Sequence, residues 1–183
     1  SIAVLLIVFI GSELFTGNNL IMAFGAYDRA VSWGQTVKVW IVSYIGNFVG
    51  CFVFAGIWVL AGTSGAQDYL AGIIGGKLSI EPGEMFFRAV LCNFFVCLAV
   101  ACGTKCKEET AKFLMIVICI SGFVISGFEH CIANMALFTA VGFTASGVSI
   151  SSMLFSMLIV TLGNMVGGAV LLALPLRKMS ADK

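Results

Sequence analysis

Residues 129–134, Glu-His-Cys-Ile-Ala-Asn, interrupt an otherwise apolar run with polar side chains. Residues 13–18, Glu-Leu-Phe-Thr-Gly-Asn, interrupt an earlier apolar run in the same way, 116 positions upstream. Each stretch is followed by a Gly-Asn-x-x-Gly sequence, at residues 46–50 and 163–167. Lipid tolerates polar, non-helical backbone only where that backbone lines a cavity. The duplicated interruption therefore predicts a membrane channel or transporter.

The composition is that of a membrane protein. Sixty per cent of the residues are apolar, 10% are charged, and the formal net charge is +1. This charge balance gives no support for nucleic-acid binding. We expect the seven cysteines to be reduced, mostly as small packing residues. Because the chain has no metal-ligand spacing, we expect neither a metal nor a cofactor.

The apolar runs predict an all-α membrane protein with five membrane segments. They cover about residues 1–26, 34–61, 84–103, 111–142 and 150–174, and the first and fourth are broken. Residues 62–83 form a Gly-rich connection that contains Lys77. Pro82 and Pro175 are expected to mark a helix start and a helix end. Residues 1–183 would form one channel domain, with half-repeats at 1–61 and 84–174.

The distribution of Lys and Arg predicts the topology. Eight basic residues fall on the side that holds the 27–33 turn, the 104–110 loop and the C-terminal tail, against two on the other side. The positive-inside rule places the first group in the cytoplasm, so the two broken segments run in opposite directions as an inverted repeat. A whole helix precedes the second break, whereas twelve residues precede Glu13. We therefore expect a missing first helix, with six helices and two cytoplasmic termini in the complete protein.

Ionisable residues near the breaks are the candidates for chemistry. His130, the only histidine, could give a proton to a passing solute or could tie the broken helix by hydrogen bonds. Lys77 could draw anions to a pore or could be a solvated loop lysine. We expect Glu13 and Glu129 to accept hydrogen bonds from backbone N–H groups at the breaks.

Polar and apolar residues beside the breaks complete the predicted passage. Asn18, Asn19 and Asn134 are expected to cap the half-helices, whose positive ends favour an anion. Large apolar side chains would narrow and dry the pore; these are Leu14, Phe15 and Phe123. The glycine pairs at 46/50 and 163/167 predict close helix packing.

With these motifs the sequence resembles the formate/nitrite transporter family. The similarity covers essentially the whole chain. It is carried by residues 13–18, 92–99 (Cys-Asn-Phe-Phe-Val-Cys-Leu-Ala), 127–135 (Gly-Phe-Glu-His-Cys-Ile-Ala-Asn-Met) and 163–168 (Gly-Asn-Met-Val-Gly-Gly). The resemblance implies an aquaporin-like fold of six helices in a homopentamer with one pore per subunit. It also implies small monovalent anions as substrates, namely formate, nitrite, hydrosulfide and, in some members, lactate.

The resemblance also implies roles for individual residues. His130 would be the central histidine, Lys77 the lysine that approaches it from the outer side, and Thr16 the hydroxyl that faces it. Asn93 would be the pore-side asparagine. The residues implied for the two apolar slits are Leu14, Phe15 and Phe123. Cys131 stands where Ser is frequent in the family, and the 62–83 loop is shorter than in classical formate channels. Both departures favour nitrite- or hydrosulfide-like members.

The expected function is passage of a weak-acid anion across the inner (plasma) membrane. Protonation of the anion near His130 would remove most of the free-energy cost of moving a charge through a dry, apolar slit. The alternative is passage of the bare anion, with His130 acting only as a hydrogen-bond donor. A strictly coupled, proton-linked transporter is a second alternative. A neutral-solute channel would carry two Asn-Pro-Ala signatures, which the chain lacks. An enzyme is not expected, because a nucleophile, a metal-ligand set and a nucleotide motif are missing.

Overall fold

A computed structural model describes residues 7, 9–62, 64–142 and 149–181. The predicted all-α class is confirmed, since the regular structure within these residues is helical. In chain order the helices are α1 (Phe15–Tyr27), α2 (Trp33–Leu60), a short 3-10 helix (Ser64–Ala66), α3 (Gln67–Leu78), α4 (Pro82–Lys105), α5 (Glu109–Ile125), α6 (Cys131–Gly142), α7 (Ile150–Met165), a π-helix (Val166–Ala173) and α8 (Leu174–Ala181).

Among the described residues, three helical stretches are long and apolar enough to cross a membrane. They are α2, α4 and the continuous stretch Ile150–Ser180, which joins α7, the π-helix and most of α8. The two predicted breaks are also present. Residues 11–14 are not helical and directly precede α1, and residues 126–130 separate α5 from α6.

Local sequence signals explain where several helices begin. Ser32 and Gln35 form a capping box at the start of α2, each accepting a hydrogen bond from the other's backbone N–H. Pro82 occupies the first turn of α4, as predicted. The Ser149 side chain accepts a hydrogen bond from the N–H of Ser152 at the start of α7.

The Gly-rich connection differs from its prediction, because residues 67–78 form α3. Asp68 lies in the first turn of α3 and Lys77 in the last turn, the order that the helix dipole favours. Ile74 is completely buried in an apolar cluster with Phe138 and Val141 of α6. This burial offsets the low helix propensity of the glycines in α3.

Pro175 does not end a helix, contrary to the prediction. It is the second residue of α8, within the continuous stretch that runs to Ser180. A proline inside an α-helix lacks a hydrogen-bond donor and clashes with the carbonyl four residues earlier. The wider turns of the π-helix directly before α8 relieve that clash.

Close packing of α4 against α7 and the following π-helix depends on glycine. A Cβ atom at Gly163 would lie 2.6 Å from the Phe86 carbonyl oxygen, and one at Gly167 would clash with the Val90 carbonyl. The predicted packing role of this pair therefore agrees with the structure. On α2, a Cβ atom at Gly46 or Gly50 would have no neighbour within 4 Å among the described residues.

Candidate functional site

The two breaks meet at a buried contact between Thr16 and His130. The Thr16 Oγ1 and the His130 Nε2 lie 3.2 Å apart. Thr16 is in the first turn of α1, and His130 directly precedes α6. Residues 114 positions apart in the chain are therefore joined where the two half-helices begin.

The second ring nitrogen of His130 fixes how the imidazole is protonated. The backbone N–H of Ala133 donates to Nδ1 at 3.1 Å. Because a backbone N–H can only donate, Nδ1 is unprotonated, and in the neutral ring Nε2 carries the hydrogen. His130 therefore donates to the Thr16 hydroxyl and at the same time accepts an N–H at the start of α6.

Glu129 is buried, and both of its carboxylate oxygens have partners. Oε1 lies 2.8 Å from the Lys77 ammonium, and Oε2 accepts from the Asn134 amide at 2.7 Å. The side chain of Glu129 is 2% exposed and that of Lys77 is 20% exposed. Lys77 is therefore the cation that makes burial of this carboxylate possible, and it is not a solvated loop residue.

Glu13 makes the same contact with an asparagine that Glu129 makes. Its Oε2 accepts a hydrogen bond from the Asn18 amide at 2.7 Å. Unlike Glu129, Glu13 is exposed. The prediction that the two glutamates accept backbone N–H groups is wrong, since the hydrogen bonds at both sites come from side chains.

The half-helices are capped by residues other than the predicted ones. Asn18 and Asn134 lie inside α1 and α6 and donate to the glutamates, so they do not cap these helices. The first N–H of α1, at Phe15, donates to Asn47 Oδ1 at 3.0 Å. The first N–H of α6, at Cys131, donates to Asn164 Oδ1 at 2.8 Å. These two caps come from α2 and α7, about 30 residues away, which local capping rules do not anticipate.

The repeated Gly-Asn sequence was the available signal for these caps. Asn164 is completely buried. Its Nδ2 also donates to the carbonyls of Ala89 at 2.8 Å and Glu129 at 3.0 Å. Asn164 thus joins α4 and α7 to the break before α6.

Asn93, which lies in α4, forms hydrogen bonds to α1 and α7. Its amide nitrogen donates to the carbonyl oxygens of Asn164 at 2.6 Å and Thr16 at 3.2 Å. The Cys97 thiol also contacts the Thr16 carbonyl, at 3.2 Å. Because the Asn93 amide has only two N–H groups, it has none left for a solute in this arrangement.

The apolar residues beside the breaks fall into two groups. The ring of Phe123 stacks on the His130 imidazole, with centroids 5.8 Å apart and planes 17° apart. Leu14 belongs to the same buried cluster as Phe123. Phe15 is in a different cluster, where it meets the ring of Tyr44 edge-on at 4.9 Å. Phe123 thus supplies an apolar surface against the histidine, Leu14 lies in the same cluster as Phe123, and Phe15 packs against α2.

Metal ligands and disulfides contribute nothing to the site within the described residues. No three His, Cys, Asp or Glu side chains of this part of the chain are arranged to hold a metal ion. All seven cysteines are unpaired. The functional geometry therefore consists of hydrogen bonds, one buried ion pair and apolar side chains.

Comparisons with known proteins agree with this geometry. The family model described as formate/nitrite transporter matches residues 1–177. A probable formate transporter of Methanothermobacter thermautotrophicus is 37% identical over 191 residues, which cover 94% of this chain and 69% of the relative. The chain therefore spans about two thirds of the length of this relative.

Two solved structures are similar in fold. A channel described as an FNT family ion channel has a TM-score of 0.91 and 32% sequence identity, and the match covers 97% of this chain and 73% of that one. A pentameric formate channel with formate bound has a TM-score of 0.78 and 28% identity, covering 96% and 78%. By these matches the chain belongs to the formate/nitrite transporter family, whose members are membrane transport proteins and not enzymes.

Proposed function

We propose that this protein passes small monovalent weak acids, such as formate, nitrite and hydrosulfide, across the membrane. The observation that carries the proposal is the buried contact between Thr16 and His130 at the meeting point of two half-helices. The family match supports the anion class, and one similar solved structure is a formate channel with formate bound.

Charge at the site would draw an anion in without holding it. Lys77 supplies a partly exposed cation, and the starts of α1 and α6 supply the positive ends of two helix dipoles. Glu129 balances the lysine charge at 2.8 Å. A compensated cation attracts a passing anion more weakly than a free one, which favours release.

The apolar surroundings favour the neutral acid over the bare anion. Phe123 stacks on the His130 ring, and Leu14 belongs to the same buried cluster as Phe123. An unpaired carboxylate in such surroundings costs on the order of tens of kcal/mol and normally takes up a proton instead. In our proposal the anion takes a proton from a hydronium ion of the bulk solution at the mouth, which leaves a water molecule outside, and it crosses as the neutral acid.

His130 acts in this scheme as a neutral hydrogen-bond donor. Protonation at Nδ1 would break the hydrogen bond from Ala133 and place a positive charge at the positive end of α6. The hydrogen bonds thus favour a His130 that donates a hydrogen bond over a His130 that transfers a proton to the substrate.

Replacing His130 with Asn separates the two roles. The Asn side chain can still accept the Ala133 N–H and can donate an N–H, so the fold should persist. We expect formate flux into liposomes to fall several-fold while its increase at low pH is kept, because the proton travels with the acid. If the variant loses the pH dependence, the histidine itself is the proton donor.

The assembly and location are also part of the proposal. The similar pentameric formate channel supports a homopentamer, and the distribution of Lys and Arg supports cytoplasmic termini for the complete protein. We place it in the inner (plasma) membrane. Native mass spectrometry in detergent tests the pentamer. A flux that saturates at low substrate concentration would favour the coupled transporter over the channel.

A further inference from the structure

Asn19 is a buried amide without a hydrogen-bond partner. Its side chain is 0% exposed. Neither Nδ2 nor Oδ1 contacts a partner within the part of the chain that the structure describes. A buried amide with no hydrogen bonds costs about 1–3 kcal/mol in proteins. Such a group therefore points to a small guest that completes its hydrogen bonds.

The polar groups beside Asn19 make their hydrogen bonds with other residues. A Cβ atom at Gly168 would lie 2.9 Å from Asn19 Cβ, 2.9 Å from Cys97 Sγ and 2.7 Å from Asn93 Nδ2. The Asn93 amide nitrogen donates to two carbonyls, and Asn93 Oδ1 accepts from the Cys97 thiol at 3.6 Å. The same thiol also contacts the Thr16 carbonyl. In this cluster Asn19 alone has both a donor and an acceptor unused.

The position of Asn19 places it beside the proposed passage. It follows Thr16 by three residues in α1, so the two residues are neighbours on one face of the helix. Thr16 is the residue that contacts His130. The Asn19 amide therefore lies about one helical turn beyond the meeting point of the half-helices.

We infer that Asn19 is a second binding station of the permeation path, selective for the neutral form of an oxyacid. The inference rests on the proposed function and extends it. Formic and nitrous acids each present one O–H donor and one oxygen acceptor, which match Oδ1 and Nδ2 of a single amide. An oxyanion offers acceptors only and would leave Oδ1 unmatched against a negative oxygen. The amide thus distinguishes the protonated acid from its anion.

The substitution Asn19→Leu tests this role with little change in shape. Purified protein in liposomes would be compared for initial uptake of formate and of hydrosulfide at low substrate concentration. We expect about a tenfold loss of formate uptake, the effect of about one lost hydrogen bond. Hydrosulfide uptake should change less than twofold, since neutral hydrogen sulfide forms only weak hydrogen bonds. Asn19→Ala provides a second variant if the leucine disturbs assembly.

Ser156→Ala is the matched control, because Ser156 Oγ is also buried without a partner among the described residues. In both variants the melting temperature should stay equal or rise, as an unpaired polar group is removed. A lower melting temperature for Asn19→Leu together with unchanged formate uptake would show a structural water site and overturn the inference. Equal losses of formate and hydrosulfide uptake would also overturn it. Absence of uptake by the unsubstituted protein would instead contradict the proposed function.

Discussion

The two copies of the interrupted segment share a hydrogen-bonded frame. In each copy a glutamate accepts from the asparagine five residues later, at 2.7 Å. In each copy an asparagine from a distant helix caps the first N–H of the half-helix; the pairs are Phe15 with Asn47 and Cys131 with Asn164. The shared contacts show that the repeat preserves the geometry of the break.

The copies differ in the residues that could act on a solute. The second copy has His130 where the first has Leu14, whereas the first has Thr16 where the second has Ile132. Lys77 pairs with the buried Glu129, while Glu13 is exposed. One functional group from each copy meets at the centre, so an almost symmetric frame holds an asymmetric site.

Between the two copies, the largest difference in the effect of a substitution on stability is expected at the ion pair of Glu129 and at Glu13. Lys77→Met would leave Glu129 as a buried, unpaired charge and should reduce the free energy of unfolding by about 3–5 kcal/mol. Glu13→Gln should change it by less than about 1 kcal/mol, because Glu13 is exposed. Both are measured by denaturant unfolding in detergent micelles. The double variant with Lys77→Met and Glu129→Gln should recover most of the loss, and no recovery would show that the ion pair is not the cause.

The glycines give the next largest contrast. Gly167→Ala brings a Cβ atom against the Val90 carbonyl and should destabilise the protein by about 1–3 kcal/mol or more. Gly50→Ala has open space within the described residues and should be neutral or stabilising by up to about 1 kcal/mol. Thermal unfolding of the two variants side by side checks this. Equal destabilisation would mean that a further helix packs on α2 as α4 packs on α7.

The capping asparagines should differ by a smaller amount. Asn164→Leu removes a cap and two buried hydrogen bonds to carbonyls, and we expect a loss of about 1–3 kcal/mol. Asn47→Leu removes a less buried cap and should cost about 1 kcal/mol. Hydrogen exchange of the N–H groups of Phe15 and Cys131 would report each cap separately. If Asn164→Leu speeds exchange at Phe15 and not at Cys131, or Asn47→Leu does the reverse, the assigned caps are contradicted.

The smallest effect on stability is expected at Thr16. Thr16→Val removes the hydroxyl that faces His130 and should cost about 1 kcal/mol while lowering formate flux. Thr36→Val is the control, because the buried Thr36 hydroxyl also makes hydrogen bonds, to the carbonyls of Met22 and Ser32. Both variants should lose similar stability, and only Thr16→Val should lose flux. Unchanged formate flux in Thr16→Val would show that the Thr16 hydroxyl has no role in permeation.

The sequence was sufficient for the features that are local. Polar residues in apolar runs located both breaks, whereas it was the resemblance to the formate/nitrite transporter family that implied that Thr16 would face His130. The caps were assigned to the wrong asparagines, because Asn47 and Asn164 reach the half-helices from about 30 residues away. Helix α3 was not predicted, because its glycines have low helix propensity and the compensating burial of Ile74 depends on contacts with α6.

The unpaired state of Asn19 among the described residues also could not be predicted from the sequence. The sequence suggested a cap, like its neighbour Asn18, because asparagine near a helix start usually serves that purpose. Only the three-dimensional arrangement reveals that Asn93 and Cys97 are already engaged and that Asn19 has no partner among the described residues. Unmet hydrogen bonds are a property of packing, and no local pattern in the chain encodes them.

The most direct test of neutral-acid passage follows proton and charge movement together. Liposomes that contain the protein, an internal pH dye and a membrane-potential dye are given an inward formate gradient. Protein-free liposomes correct for acid that crosses the lipid. We predict that the interior acidifies by one proton for each formate taken up, with no membrane potential. Formate uptake that builds a membrane potential without acidification would contradict this account.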